Sequence, residues 1–88
     1  MEDIEAFRRK LKFRAWHRGT REMDLLMGQF ADAHLGNFNE TELNQFSDML
    51  EENDPDLYDW YCGLKQPPAN IVTGALEKFL AHKRAATA

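Results

Sequence analysis

Five consecutive residues, Arg18-Gly19-Thr20-Arg21-Glu22, combine side chains that suit them for recognition. A glycine adopts backbone angles that other residues avoid and lets another surface come close to the backbone. The guanidinium of Arg18 can donate several hydrogen bonds to a carboxylate or carbonyl, and Glu22 adds the opposite charge. The pattern indicates a docking surface. An ordinary helix break, with Arg18 as a last-turn base and Glu22 as a first-turn acid, explains the same spacing.

We assign partner binding to this turn and the residues that adjoin it. A second group could extend the contact, although a solvated helix face or a cap beside a core tryptophan is the more usual explanation of such residues. The predicted binding residues are Arg18, Gly19, Glu22, Thr20, Arg21, His17 and Asp24, and the secondary surface comprises Arg8, Arg14, Asp54, Asp56 and Trp60.

Other chemistry finds less support in the sequence. His17, His34 and His82 are scattered, and no Cys/His spacing matches a metal site. The single Cys62 has no activating base nearby in sequence, so we expect a small buried thiol. An enzyme with Glu22 and His17 as acid and base would need a concave pocket, for which five short helices leave little room. We therefore expect no catalytic residue and no metal.

The elements that must position the turn are helices. Apolar residues recur at helical spacing, and no stretch alternates apolar and polar residues at period two for long enough to indicate a strand. The caps and breaks predict helices over residues 3–17, 21–35, 40–52, 55–62 and 69–82, followed by a frayed tail at 84–88. The predicted fold is a small all-α bundle of five helices in a single domain.

Individual residues set these boundaries and the inward faces. Asp3, Asn39 with Glu42, and Asp54 before Pro55 are expected to cap helices. Gly36 and Gly63 should end two of them. Gly28, inside the second helix, hints at a close helix contact because glycine there costs about 1 kcal/mol. The expected inward residues are Ile4, Phe7, Leu11; Met23, Leu26, Met27, Phe30, Ala33, His34; Leu43, Phe46, Met49, Leu50; Leu57, Trp60, Tyr61; and Val72, Leu76, Phe79, Leu80.

Charge is divided unevenly along the chain. Residues 1–21 hold seven Lys or Arg against three acids, whereas residues 22–63 hold eleven acids and neither Lys nor Arg. Such a dipole can steer association with a charged partner, but an acidic middle also serves solubility. A regulatory or antitoxin-like module that binds nucleic acid through the basic first helix is the alternative function, against which the acidic segment argues because it would repel phosphate.

Composition also bears on location. No stretch approaches the roughly 18 apolar residues of a membrane span. Glu2, Asp3 and Glu5 are unlike a secretory signal or an acid-poor transit peptide. With a single cysteine, the chain fits a reducing compartment. We expect a cytoplasmic protein, or one in a matrix after processing.

The turn resembles the Arg-Gly-x-x-Glu motif of the small assembly factors that promote covalent FAD attachment to the flavoprotein subunit of succinate dehydrogenase. Met23-Asp24 and the following apolar helix continue the resemblance, as does Asp54-Pro55-Asp56-Leu57-Tyr58-Asp59-Trp60. The two motifs are short, but their separation in a chain of 88 residues makes the pair fairly specific. The family has a five-helix domain.

The resemblance implies a chaperone-like role without catalysis. Arg18, Gly19 and Glu22 would contact the flavoprotein subunit, while Thr20 and Arg21 occupy the variable positions. The bond joins a histidine of the flavoprotein to the flavin 8α-methyl carbon, in a reaction thought to be self-catalysed there. FAD would therefore be the partner's cofactor, with none held stably by this chain. A monomer without nucleic-acid or membrane partners is expected; direct FAD binding and a fumarate reductase client stay open.

Overall fold

The computed structural model describes residues 3–82, which form five α-helices and contain no strand. The helices are α1 (Ile4–Trp16), α2 (Arg21–His34), α3 (Glu40–Met49), α4 (Asp54–Cys62) and α5 (Gly74–Ala81). A 3-10 turn, Leu35–Asn37, follows α2. The all-α fold with five helices is confirmed, and the predicted tail at 84–88 lies outside the described residues. Between residues 3 and 82, no helix has the length and apolar character needed to cross a membrane.

Side-chain caps set most of the helix starts. Asn39 accepts from the Glu42 N–H at 2.9 Å while Glu42 returns the contact to the Asn39 N–H at 3.0 Å, which confirms the predicted capping box. The predicted cap of α4 is one residue wrong. Asn53 has the extended backbone of a cap and accepts from the Asp56 N–H at 2.9 Å. Asp54 is therefore the first helical residue, where its charge suits the helix dipole.

Every helix has at least one boundary that differs from its prediction, by one residue in most cases and by more at the end of α3 and the start of α5. The structure ends α2 at His34 and passes into the 3-10 turn, so Gly36 does not cap it. Helix α3 ends at Met49, before a turn that leads to the Asn53 cap. Helix α5 begins only at Gly74, because Thr73 accepts from the Leu76 N–H. Val72 consequently lies outside the helix and is exposed, which corrects its place in the predicted core.

The core is built around Phe30 of α2. Its ring centroid lies 6.1 Å from Phe38, 5.7 Å from Phe46 and 5.4 Å from Phe79, so residues from three helices and a connection meet there. The inward face of α2 was predicted correctly except at Ala33, which is exposed while Ala31 is buried. The buried residues are Leu11, Ala15, Met23, Leu26, Met27, Phe30, Ala31, Leu35, Phe38, Leu43, Phe46, Met49, Leu50, Leu57, Trp60, Ala75, Leu76 and Phe79.

Gly28 lets α1 approach α2 closely. A Cβ at this position would lie 2.1 Å from Trp16 Cδ2, far inside van der Waals contact. The Trp16 indole N–H also donates to Asp32 at 3.3 Å, so the ring is held over the glycine. The predicted close helix contact is confirmed, and it fixes the end of α1 immediately before the Arg18–Glu22 segment.

Gly28→Ala should lower the free energy of unfolding by about 1–3 kcal/mol, because overpacking forces Trp16 to move. Gly36→Ala is the matched control, since nothing lies within 4 Å of a Cβ there. Urea titration followed by circular dichroism measures both variants. Equal midpoints for Gly28→Ala and the wild-type chain would contradict the packing described above.

Candidate functional site

The turn between α1 and α2 contains Arg18, Gly19 and Thr20. Helix α1 ends at Trp16, with His17 as its cap, and Thr20 caps α2 by accepting from the Met23 N–H at 3.3 Å. Gly19 has φ +118°, an angle that side-chain-bearing residues rarely adopt. Nothing lies within 4 Å of where its Cβ would be. The chain therefore reverses through an open position that strongly favours glycine.

Asp24 fastens this turn to α2. One carboxylate oxygen, Oδ1, accepts from the backbone N–H groups of both Arg18 and Gly19, the latter at 3.2 Å. A side chain from the first turn of the next helix thus accepts from two backbone donors of the turn. Asp24 was predicted to contact a partner. Because its Oδ1 holds the turn in place, that predicted contact is limited to the rest of the side chain.

Arg18 fastens the same turn to the connection between α3 and α4. Its Nε donates to Asp54 Oδ1 at 2.9 Å, and its terminal nitrogens donate to the carbonyls of Leu50 at 2.7 Å and Glu52 at 2.9 Å. The side chain is only 11% exposed, and its Nη2 lies 2.8 Å from Asp54 Oδ1. The guanidinium that was predicted to bind a partner's carboxylate thus forms hydrogen bonds within its own chain. In this structure Arg18 positions the turn, and partner binding by Arg18 itself stays a prediction.

The other residues of the motif face solvent. His17, Gly19, Thr20, Arg21 and Glu22 are all exposed, so the structure brings these sequence-selected residues together on one surface. Partner binding by them stays a prediction. Their grouping follows from the Arg18 and Asp24 contacts, because both remove freedom from the turn.

Two open concavities flank the turn, and Thr20 lines both. The α1–α2 concavity, of about 480 Å³, is lined by Trp16, His17, Gly19, Thr20, Arg21, Asp24 and Leu25. The α2–α4 concavity, of about 400 Å³, is lined by Thr20, Glu22, Met23, Asp54, Pro55 and Tyr58. A surface with a projecting turn between two hollows can receive protruding side chains of a macromolecule on either side.

The predicted secondary surface is mostly occupied by internal contacts. Arg8 donates to Glu5 at 2.6 Å and to the carbonyls of Leu35 and Phe38, and Arg14 pairs with Glu51 at 2.6 Å. These contacts join α1 to elements distant in sequence, so both arginines act in packing. Partner binding by Arg8 and Arg14 stays a prediction.

The α4 part of that surface also needs revision. Trp60 is 7% exposed and belongs to the core, which agrees with the alternative interpretation of this segment as a cap beside a core tryptophan. Asp54 binds Arg18, and Asp56 lies 3.6 Å from Lys65. Tyr58, which the sequence analysis passed over, is 38% exposed and lines the α2–α4 concavity. One position after the inward Leu57, Tyr58 is turned by about 100° around the helix and so lies at the flank of the buried face, a signal that was available in the sequence.

Phe13 is a second residue that the sequence analysis missed. It is 64% exposed, and its ring stacks on His17 with centroids 4.0 Å apart. The His17 Nδ1–H donates to the Phe13 carbonyl at 2.7 Å and so fixes the imidazole. Its signal is its register: two residues after the inward Leu11, a helical residue points away from the core.

Two of the remaining titratable candidates, His34 and His82, pack against each other. His34 and His82, distant in sequence, bring their rings to 5.4 Å, and burial followed by the charge of His34 lowers the pKa of His82. Among residues 3–82, no three His, Cys, Asp or Glu side chains are grouped for a metal ion. Cys62 is exposed, contrary to the expected buried thiol, because it follows the inward Trp60 by two residues at the end of α4.

Known proteins resemble this chain over most of its length. The model of a family described as flavinator of succinate dehydrogenase matches residues 9–83. A protein named FAD assembly factor SdhE, from Acetobacter pasteurianus, is 39% identical over 83 residues, which cover 94% of this chain and 76% of that protein. No solved structure matches significantly.

Mitochondrial proteins are also similar. Those named succinate dehydrogenase assembly factor 2 include one from Dictyostelium discoideum, 31% identical over 88% of this chain and 55% of its own length. Another, from Aspergillus flavus, is 37% identical over 76% of this chain and 22% of its own length. The chain thus spans about half, or less, of these two mitochondrial relatives.

Arg18→Ala should lower the free energy of unfolding by about 2–3 kcal/mol, because two carbonyls and Asp54 lose a charged donor. Arg18→Lys should recover only part of this, since one ammonium cannot reproduce the planar fork. Arg21→Ala is the control, with an expected change within about 0.5 kcal/mol because Arg21 is exposed. Urea unfolding provides the comparison. If Arg18→Ala proved as stable as Arg21→Ala, the positioning role of Arg18 would be wrong.

Proposed function

This chain belongs to the family described as flavinator of succinate dehydrogenase, and we propose that it is an assembly factor for that enzyme's flavoprotein subunit. It binds that subunit and promotes the covalent attachment of FAD. The observation that carries the proposal is the exposed turn at Gly19, held by Arg18 and Asp24 and flanked by two concavities. Family membership supplies the partner, and the geometry supplies a surface that could bind it.

The chain acts through binding, and the reacting atoms belong to the partner. The turn offers exposed backbone, charged side chains and apolar hollows, which suit recognition of a protein surface. Alignment of a histidine with the flavin in the partner can lower the barrier by several kcal/mol without a catalytic group from the helper. A helper that binds the aligned conformer more tightly than the others raises its population. FAD is accordingly the cofactor of the partner.

The alternative nucleic-acid module receives less support. Arg8 and Arg14, two bases of α1, are engaged with acidic side chains within the chain. Residues 22–63 add eleven acids without a Lys or Arg, which would repel phosphate. We retain the flavoprotein subunit as the partner.

Location, assembly state and client range follow the same proposal. A bacterial cytoplasm is supported by the similarity to the Acetobacter pasteurianus protein, although relatives with mitochondrial names also occur. The chain works as a monomer, since one turn and its two concavities form a complete surface on one copy. The flavoprotein subunit of fumarate reductase is a second client to be tested with the same assay.

Gly19→Arg should abolish promotion of covalent FAD attachment while the fold persists. The arginine side chain would project into the space a partner must enter, and φ +118° adds strain. The assay incubates the apo flavoprotein subunit with FAD and each variant, then measures flavin fluorescence of the subunit after denaturing electrophoresis.

Gly63→Arg is the matched control for backbone strain. Gly63 also has positive φ, at +78°, and open space around it, but it lies at the end of α4. Both variants should lose some thermal stability, and only Gly19→Arg should lose activity. Full flavin attachment with folded Gly19→Arg would refute docking at this turn.

A further inference from the structure

The solvent side of α1 carries an exposed aromatic stack among positive charges. Arg9, Phe13 and His17 are spaced four residues apart, so they lie along one side of the helix and its cap. Lys10 is exposed beside this line. We call Arg9, Lys10, Phe13 and His17 the α1 stripe. It leads directly to the proposed docking turn, because His17 also lines the α1–α2 concavity.

The two cations of the α1 stripe differ from their neighbours. Arg8, Lys12 and Arg14 each form an ion pair that ties α1 to an acid. Arg9 and Lys10 form no ion pair with any residue in the described part of the chain, and both are exposed. Their charge is therefore available to another molecule, whereas each of the other three has an acidic partner within the described part of the chain.

The aromatic part of the stripe is held in one arrangement before any partner arrives. Phe13 and His17 stack with an interplanar angle of 23°, and the His17 Nδ1–H bond to the Phe13 carbonyl fixes one ring against the other. An ordered, exposed aromatic pair loses little conformational entropy on binding and offers a broad apolar contact. Aromatic residues surrounded by charge are typical centres of protein interfaces.

Building on the proposed function, we propose that the α1 stripe binds an acidic segment of the flavoprotein subunit that also presents an apolar side chain. The apolar side chain covers the Phe13–His17 stack, while carboxylates pair with Arg9 and Lys10. Charge complementarity selects this occupant, because residues 22–63 of this chain carry eleven acids that repel the same segment. The stripe thereby fixes the orientation in which the turn meets its partner.

The test measures binding of the intact chain to the apo flavoprotein subunit of the same organism, by biolayer interferometry at low and moderate salt. Phe13→Ala should weaken binding about tenfold, the loss expected of a central aromatic contact. The double variant R9E/K10E should weaken it by at least about tenfold and reduce the salt dependence of the association rate.

Matched controls lie away from the stripe. Leu64 is an equally prominent apolar residue, 72% exposed, so Leu64→Ala controls for loss of apolar surface. Lys65→Glu controls for charge reversal, since Lys65 is exposed. Its Nζ lies 3.6 Å from Asp56 Oδ1 and 3.7 Å from Asp59 Oδ2. Both should bind within about twofold of the wild-type chain. Circular dichroism verifies that all four variants remain folded.

The outcomes separate the inference from the proposed function. No binding of the wild-type chain to the flavoprotein subunit would refute the proposed function itself. Wild-type binding with Phe13→Ala and R9E/K10E as tight as the controls would overturn the stripe alone. It would also be overturned if these variants kept flavoprotein binding but lost affinity for duplex RNA, for anionic vesicles or for a second copy of the chain.

Discussion

The Arg18 guanidinium is the contact on which the rest of this surface depends. It joins a three-residue turn to the carbonyls of Leu50 and Glu52, between α3 and α4, and to Asp54, the first residue of α4. A single side chain thus satisfies two acceptors of the α3–α4 connection and holds the α1–α2 turn against it. Together with Asp24 it leaves Gly19 exposed on a fixed support. Exposure of the turn and rigidity of the turn thus have the same cause.

Internal ion pairs also decide which charges remain for recognition. Of the basic residues on α1, those turned toward acids of the fold are compensated, and Arg9 and Lys10 remain. Residues 22–63 hold eleven acids and neither Lys nor Arg. The packing of the helices therefore makes the surface charge more asymmetric than the order of charged residues along the chain alone would make it. Such asymmetry gives specificity and orientation more than affinity.

Local signals could be read from the sequence, and long-range ones could not. Five helices, the Asn39 capping box and the close contact at Gly28 depend on residues a few positions apart or on one apolar face. The Arg18–Asp54 pair spans 36 residues, and no periodicity indicates it. The family motif indicates that Arg18 matters for function, but it does not show whether Arg18 contacts the partner or positions the turn. The exposure of Tyr58 and Phe13 follows from their positions relative to the inward residues of their helices.

Rigidity has a consequence for how a helper without a catalytic group could act, under the function proposed above. A ligand that binds two conformers of its partner equally well shifts neither, however tightly it binds. Raising one conformer from 1% to 99% requires about 5.5 kcal/mol of difference in binding. A pliable turn would adapt to both conformers and lose that difference. Because Arg18 binds carbonyls of its own chain, its guanidinium forgoes a contact with the partner. In return, the turn keeps a fixed shape that can distinguish between the two conformers of the partner.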